Sequence, residues 1–438
     1  MVRNLCKGIL VIVFLLAGTA LFAQSGEAYG AYTPYSIFGI GDLAPEGTAF
    51  NKSMGGVGVA TRNKRFINIM NPASITARDS LSFMADVGIQ EKNVLMAQKF
   101  GANKFKSASN TFNIFNLVLS FPIYRSSAFV LGITPFSDLG YDFSHNETNE
   151  DIIAQVGNVN HSYYGEGSVY QVFLGAGATF WKRFSVGAQI NGYFGTLDKV
   201  YNVTYQKNNI RSINSGSTLL VRAVTGKFGL QYDQPLGKNL TLGLGATYRL
   251  STKMRGKTTT YVYANQSNVT DTVSFASTNN ADKLRIGDEL GVGVSLRSGD
   301  MWSVEFNYIR SNWNGTGVGI VEGFASDGFS AGISQSFRAG FEIVPNRNDI
   351  RYYMRTCAYR AGLYYNQAYY KFNGKKVDSF GLTLGITLPV FRLYNGLTIG
   401  LDLGQRGSLK NQLIRERYLS ISVGFNIHDL WFHKPRYE

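Results

Sequence analysis

Three things are scarce in this chain of 438 residues: cysteine, charge and proline. There are two cysteines, Cys6 and Cys357, and Cys6 precedes an apolar leader, so the exported chain has no disulfide and no multi-cysteine metal centre. Charged residues make up 16%, against the roughly one quarter usual in a soluble domain, and a soluble enzyme with a solvated surface is a poor match. No apolar run long enough for a membrane helix follows position 23, which excludes a helical bundle. Disorder is excluded as well, because 26 Tyr and 30 Phe would drive collapse. Four histidines are spread over the chain, and His145 and His161 fall in one polar stretch. A metal there would need convergent ligands, and loop histidines are ordinarily solvated, so no metal and no cofactor is expected. A Ser–His pair on strands would be the signature of a catalytic barrel, and no histidine is expected within a strand except His428 at the very end, so the chain is read as a non-enzyme.

Glycine is abundant, with 49 residues, and the net charge is +14. Arg3 and Lys7 stand before an apolar stretch that ends near Ala23, the pattern of a cleaved export signal over residues 1–23, with a retained anchor as the competing reading. The other cations are scattered singly with no basic block. Nucleic acid is therefore not the expected partner, and the phosphorylated headgroups of outer-membrane lipids fit better.

Past residue 80 the hydrophobic pattern has period two. From Ser168 to Phe180, Tyr170, Val172, Leu174, Ala176 and Ala178 alternate with Gln171, Phe173, Gly175, Gly177 and Thr179. Runs from Arg183, Leu240, Leu290, Met301, Phe380, Leu397 and Leu419 repeat the theme, one face apolar and the other small or polar. Their length of about 9 to 14 residues suits a tilted strand crossing a bilayer, and Phe180-Trp181, Tyr193-Phe194 and Tyr364-Tyr365 mark their ends like interfacial girdles. A large soluble sandwich is the competing reading. About 14 to 16 strands can be counted, with 183–194 and 199–206 separate and 256–264 included. The polar stretches 136–167, 265–283 and 311–329 are expected as outer loops. The reading is all-β: a transmembrane antiparallel barrel of about 14 strands over 81–427. An N-terminal plug over 24–80 would sit in its lumen, and 428–438 would form a C-terminal tail.

The plug segment is rich in glycine and leads through Met54-Gly55-Gly56-Val57-Gly58 to Asn71-Pro72-Ala73 just before the first strand. In this order, and with Leu131 to Asp138 read as a strand-to-loop passage, the chain resembles the FadL-like family of outer-membrane barrels, which transport long-chain fatty acids and other hydrophobic compounds. The resemblance implies a plugged 14-stranded barrel in the outer membrane of a Gram-negative cell, taking up such compounds by passive diffusion, with a kinked strand leaving a lateral opening. Pro122 is a candidate break, though prolines at strand ends are mostly terminators. Two features depart from the family: the opening Tyr32 to Asp42, and a tail carrying Trp431 and Phe432. The alternative is therefore a non-transporting barrel subunit or scaffold of an outer-membrane secretion or assembly complex, with the tail as a protein-binding element.

Alternation turns Arg249, Arg297, Glu305, Asp402 and Arg406 into the lumen, with Gln189, Asn191 and Asn307. Their arginines could hold a ligand carboxylate. The competing and favoured role is to pair with plug residues such as Asp42 and Glu46. Gly55, Gly56, Gly58, Asn71, Pro72 and Ala73 form the plug motif. Cys357, on the face of Tyr359 and Leu363, is expected to face lipid.

Overall fold

The computed structural model describes residues 32–430, apart from 79–81, 102, 125, 208, 267–268, 280–282, 320–327, 391–394 and 412. The expected export signal, the first residues of the plug segment and Trp431 to Glu438 of the tail lie outside the described residues.

Alternating sequence forms strands here because a lipid-facing apolar row and a lumen-facing small row each fall on one side of the pleat. The barrel strands are β1 (Ser82–Phe100), β2 (Asn103–Tyr124), β3 (Ser127–Asn146), β4 (Val159–Phe180), β5 (Phe184–Tyr205), β6 (Ser212–Pro235) and β7 (Leu240–Arg249). They continue as β8 (Asp288–Ser298), β9 (Trp302–Asn312), β10 (Ile333–Ile343), β11 (Ala358–Phe372), β12 (Lys375–Pro389), β13 (Gly396–Arg406) and β14 (Arg415–Leu430). Neighbours pair antiparallel, and β14 returns to β1 from Ser82↔Leu430 to Ala97↔Arg415, giving a closed barrel of 14 strands. Closure satisfies the backbone groups that hydrocarbon cannot. Leu244, Val292, Val294, Phe306, Leu384 and Leu403 are exposed on the outer face, as a lipid-facing surface requires.

Three expectations are corrected. Residues 183–194 and 199–206 belong to one strand, β5. Gly195, read as part of a turn, is there because a Cβ would lie 2.1 Å from the Ser168 carbonyl oxygen on β4. Residues 256–264 lie not in the barrel wall but in a hairpin, Arg255–Gln266 with Val269–Asn279, which continues the outer end of β6. Much of 136–167 and 265–283 is likewise strand rather than loop. Outside 136–141, which are buried, these stretches carry few fully buried side chains and many polar residues such as Ser, Thr and Asn, so period two is weakened.

Among the described residues, pairing in the wall breaks off early between β2 and β3. β2 and β3 pair from Tyr124↔Ser127 only to Leu117↔Ile133. Beyond that point the β3–β4 register shifts between Pro135 and Ser137, and residues 136–141 turn inward and are buried. The kink lies at Phe136; Pro122 merely adjoins the turn into β3.

Residues 32–78 fill the lumen. They comprise the 3₁₀ turn Pro34–Ile37, the two-residue strand Asp42–Leu43 paired with β3, the short helix Ala49–Lys52 and the 3₁₀ turn Pro72–Thr76. Toward the outer end an apolar cluster of Tyr35, Ile40, Phe136, Leu139, Trp313 and Tyr370 closes over them.

Candidate functional site

The lumen glycines of the wall are sockets for the plug. A Cβ on Gly187 would lie 2.3 Å from the Pro72 carbonyl carbon, on Gly229 2.0 Å from Asn71 Oδ1, and on Gly245 2.1 Å from the Val59 carbonyl oxygen. Across the barrel, Gly340 and Gly362 receive Met54 and Gly55 at 2.4 and 2.2 Å in the same sense. No residue with a side chain could occupy these wall positions without displacing the plug backbone. The plug is shaped to match. Gly55 and Gly56 have φ of +72° and +73°, which favours glycine, and the Gly55 N–H donates to Thr383 Oγ1 at 2.7 Å.

Asn71, Pro72 and Ala73 form one device. Pro72 starts a 3₁₀ turn, Asn71 Oδ1 caps it by accepting from the Ala73 N–H at 3.0 Å, and Asn71 Nδ2 donates to Val59 O at 2.7 Å and Leu230 O at 3.2 Å. Gly58 accepts from Asn68 Nδ2 at 2.6 Å, which folds the glycine run back on the turn.

The five charged residues expected in the lumen all project there; Arg249, Asp402 and Arg406 line one cavity between plug and wall, whereas Arg297 and Glu305 are not part of its lining. Arg406 donates to Asp42 at 2.7 Å, to Glu416 at 2.8 Å and to Thr33 Oγ1 at 3.0 Å. Glu305 accepts from the Ala60 N–H at 2.8 Å and from the Thr61 hydroxyl. Arg297 donates to the Arg62 carbonyl at 3.0 Å and pairs with Asp233, which also pairs with Arg62 at 3.3 Å. Arg249 pairs with Glu289 at 3.3 Å beside the Phe136 ring. Asp402 accepts from the Tyr364 hydroxyl at 2.8 Å, and that hydroxyl also meets Tyr418.

Other lumen contacts were missed in the sequence. Lys227 pairs with Glu46 of the plug at 2.5 Å. Arg360 pairs with Glu342 at 2.7 Å, and its guanidinium lies 4.6 and 5.0 Å from the rings of plug residues Phe50 and Phe66, a cation–π clamp. Arg338 donates to the Gly56 carbonyl at 2.9 Å. Their signal was available: each cation stands on the small, polar face of an alternating run.

Between plug and wall remains a cavity of about 330 Å³. Its lining mixes apolar side chains such as Leu43, Met70, Phe136, Ile309 and Leu401 with the polar Lys52, Gln90, Lys92, Arg338, Asp402 and Tyr418. Lys52 donates to Gln90 at 2.8 Å, and the Lys92 ammonium sits 4.8 Å from the Tyr418 ring. An alkyl chain placed here would desolvate these polar groups without pairing them, which is unfavourable.

Outside the bilayer, His145 and His161 stack at 4.9 Å between ring centres. His161 Nδ1 meets the Tyr201 hydroxyl at 2.8 Å, and its Nε2 lies 3.5 Å from Glu147. The Asn149 and Thr148 backbone N–H groups hold the Glu147 carboxyl below its ordinary range. Among the described residues no group of three or more His, Cys, Asp or Glu side chains is placed to hold a metal. Cys357 does not face lipid. It is fully buried at the foot of β11 beneath the turn Tyr353–Thr356, its Sγ 3.6 Å from the Tyr353 carbonyl.

A family model described as BamG matches residues 1–438. Among solved structures, the chain is similar to the CymD monoaromatic hydrocarbon channel, with a TM-score of 0.56 and 15% identity, covering 90% of this chain and 99% of that one. It is similar to the Ralstonia pickettii toluene transporter TbuX, with a TM-score of 0.54, 13% identity and coverage of 86% and 97%. A Pseudomonas aeruginosa FadL homologue gives 0.58, 11%, 90% and 100%. These likenesses establish a FadL-like barrel fold. No curated protein matches the chain in sequence.

Proposed function

The chain belongs to the BamG family over its whole length, and its plug is fastened to the wall on several sides; on these grounds we propose that it is a non-conducting outer-membrane barrel serving as a subunit or scaffold of an outer-membrane assembly complex. The observation that carries this reading is the fastening of the plug at successive points, by Asp42–Arg406, Glu46–Lys227, Glu305 with Ala60 and Thr61, and the wall glycines. A carrier that must open has little use for two ion pairs, a carboxylate holding plug donors and a row of close-fitting glycines, all of which would have to be undone together.

Uptake of hydrophobic compounds, long-chain fatty acids among them, by passive diffusion is the second reading. It is favoured by the interruption between β2 and β3 and by the fold shared with hydrocarbon channels. Against it stand the charged groups, Lys52, Lys92, Arg249, Arg338, Asp402 and Arg406, that interrupt the otherwise largely apolar lining of the remaining cavity.

Native mass spectrometry of the protein, gently extracted from its own membrane, separates the two. Stoichiometric protein partners around an empty barrel are expected. A monomer carrying fatty acid or another apolar molecule would overturn the assembly reading in favour of uptake.

A further inference from the structure

Where β3 leaves the wall, it takes Asp42–Leu43 of the plug as its new neighbour. β2 acquires no replacement. Residues 103–116 run on bonded to β1 alone, and among the described residues no hydrogen bond covers their other edge.

Part of that edge stands at bilayer depth. Phe112 and Ile114 face outward with 61% and 57% of their surface exposed, in line with Leu117 on the lipid face. A bare row of N–H and C=O groups is costly in hydrocarbon, and wall segments there are stable only when paired. On the lumen side Phe115 and Asn116 pack inward behind the edge. A bulge opposite Gly88 and Ile89 turns Phe115 inward, its ring 4.3 Å from the Lys52 ammonium, and Asn116 Nδ2 donates to the Asp86 carbonyl at 3.3 Å.

Beyond the bilayer the same hairpin carries Lys99, Lys104 and Lys106, all exposed, and the chain has no carboxylate between Glu91 and Asp138. Backbone edge and charge together specify an occupant: main-chain groups spaced for a strand, apolar side chains in the middle, cations at the outer end.

We propose that residues 103–116 of β2 are a docking edge, to which an extended segment of another outer-membrane protein adds as a strand with acidic residues at its Lys99–Lys106 end. This rests on the assembly reading.

The test uses the full chain, affinity-tagged and purified from its own membrane with whatever accompanies it. Amide hydrogen exchange over 103–116 is compared with that of the monomer released from the same preparation by harsher detergent. Exchange about tenfold or more slower in the complex is expected. Replacing Lys99, Lys104 and Lys106 together by Glu should lower the amount of partner recovered about tenfold, while the barrel keeps its folded, heat-modifiable band on electrophoresis. If a partner is present but 103–116 exchange equally in both states, or the strand Val269–Asn279 is protected instead, the docking edge is wrong and the assembly reading stands. If no stoichiometric partner accompanies the chain, both fall.

Discussion

Arg406 and Asp42 lie 364 positions apart in the chain and meet at 2.7 Å in the lumen, with Glu416 on the other side of the same guanidinium. One side chain thus ties the start of the plug to β13 and β14. Replacing it alone leaves two carboxylates without their cation, and Arg406→Met is expected to cost about 3–5 kcal/mol. Adding Asp42→Asn and Glu416→Gln to that variant should recover most of the loss, since the buried charges go with the cation. Denaturant unfolding in detergent measures both, and equal stability of the single and triple variants would refute a charge-based fastening.

The cap at the Asn71 turn is separable into two parts. Asn71→Ala removes the cap and the two donor contacts, at about 1–2 kcal/mol for the cap alone. Asn71→Ser keeps a capping oxygen but not the reach to Val59, and should fall between. Limited proteolysis of residues 49–78 reports the loosening directly, with the Ala variant cut fastest.

Glycine sockets predict a sharp dependence on position. Gly245→Val and Gly340→Val must push the plug backbone aside, and each should lower stability by roughly 1–3 kcal/mol. Gly237, in the turn between β6 and β7, has no neighbour within 4 Å of a Cβ, and Gly237→Ala should leave the unfolding midpoint unchanged. Equal losses at Gly237 and Gly245 would remove the socket argument.

Conductance tests the plug as a whole. In planar bilayers the intact protein should show no steady current, whereas deletion of residues 32–78 should give large, long-lived openings if the emptied barrel still runs as a folded species on electrophoresis. Comparable current from the intact chain would show that the lumen is open after all.

Much of this site could be read from period two. A strand register leaves only two choices for each side chain, so Arg249, Arg297, Glu305, Asp402 and Arg406 could be assigned to the lumen without a structure. Their partners could not, because the plug is irregular and Asp42, Ala60 and Thr61 reach the wall through its fold rather than through any local repeat. Strand number was blurred for a related reason. Gly195 looks like a turn residue in sequence, yet its need is a close crossing of the Ser168 backbone within a continuous strand. Cys357 has the parity of its lipid-facing neighbours but precedes the strand, where parity does not apply.

The pairing of Ser82 with Leu430 sets an order of events. A ring closed by its first and last strands cannot shut until the end of the chain has arrived. The plug touches wall glycines as late as Gly385 and Gly424, against Ser53 and Ala49. A plug already folded cannot be threaded into a finished cylinder, so a plug that forms early has to settle on the unrolled sheet before the last seam zips. On that order of events the N-terminal segment acts as a mould around which the C-terminal strands curl, and a plug that docks badly would slow the closing of the cylinder as well as leave it unplugged.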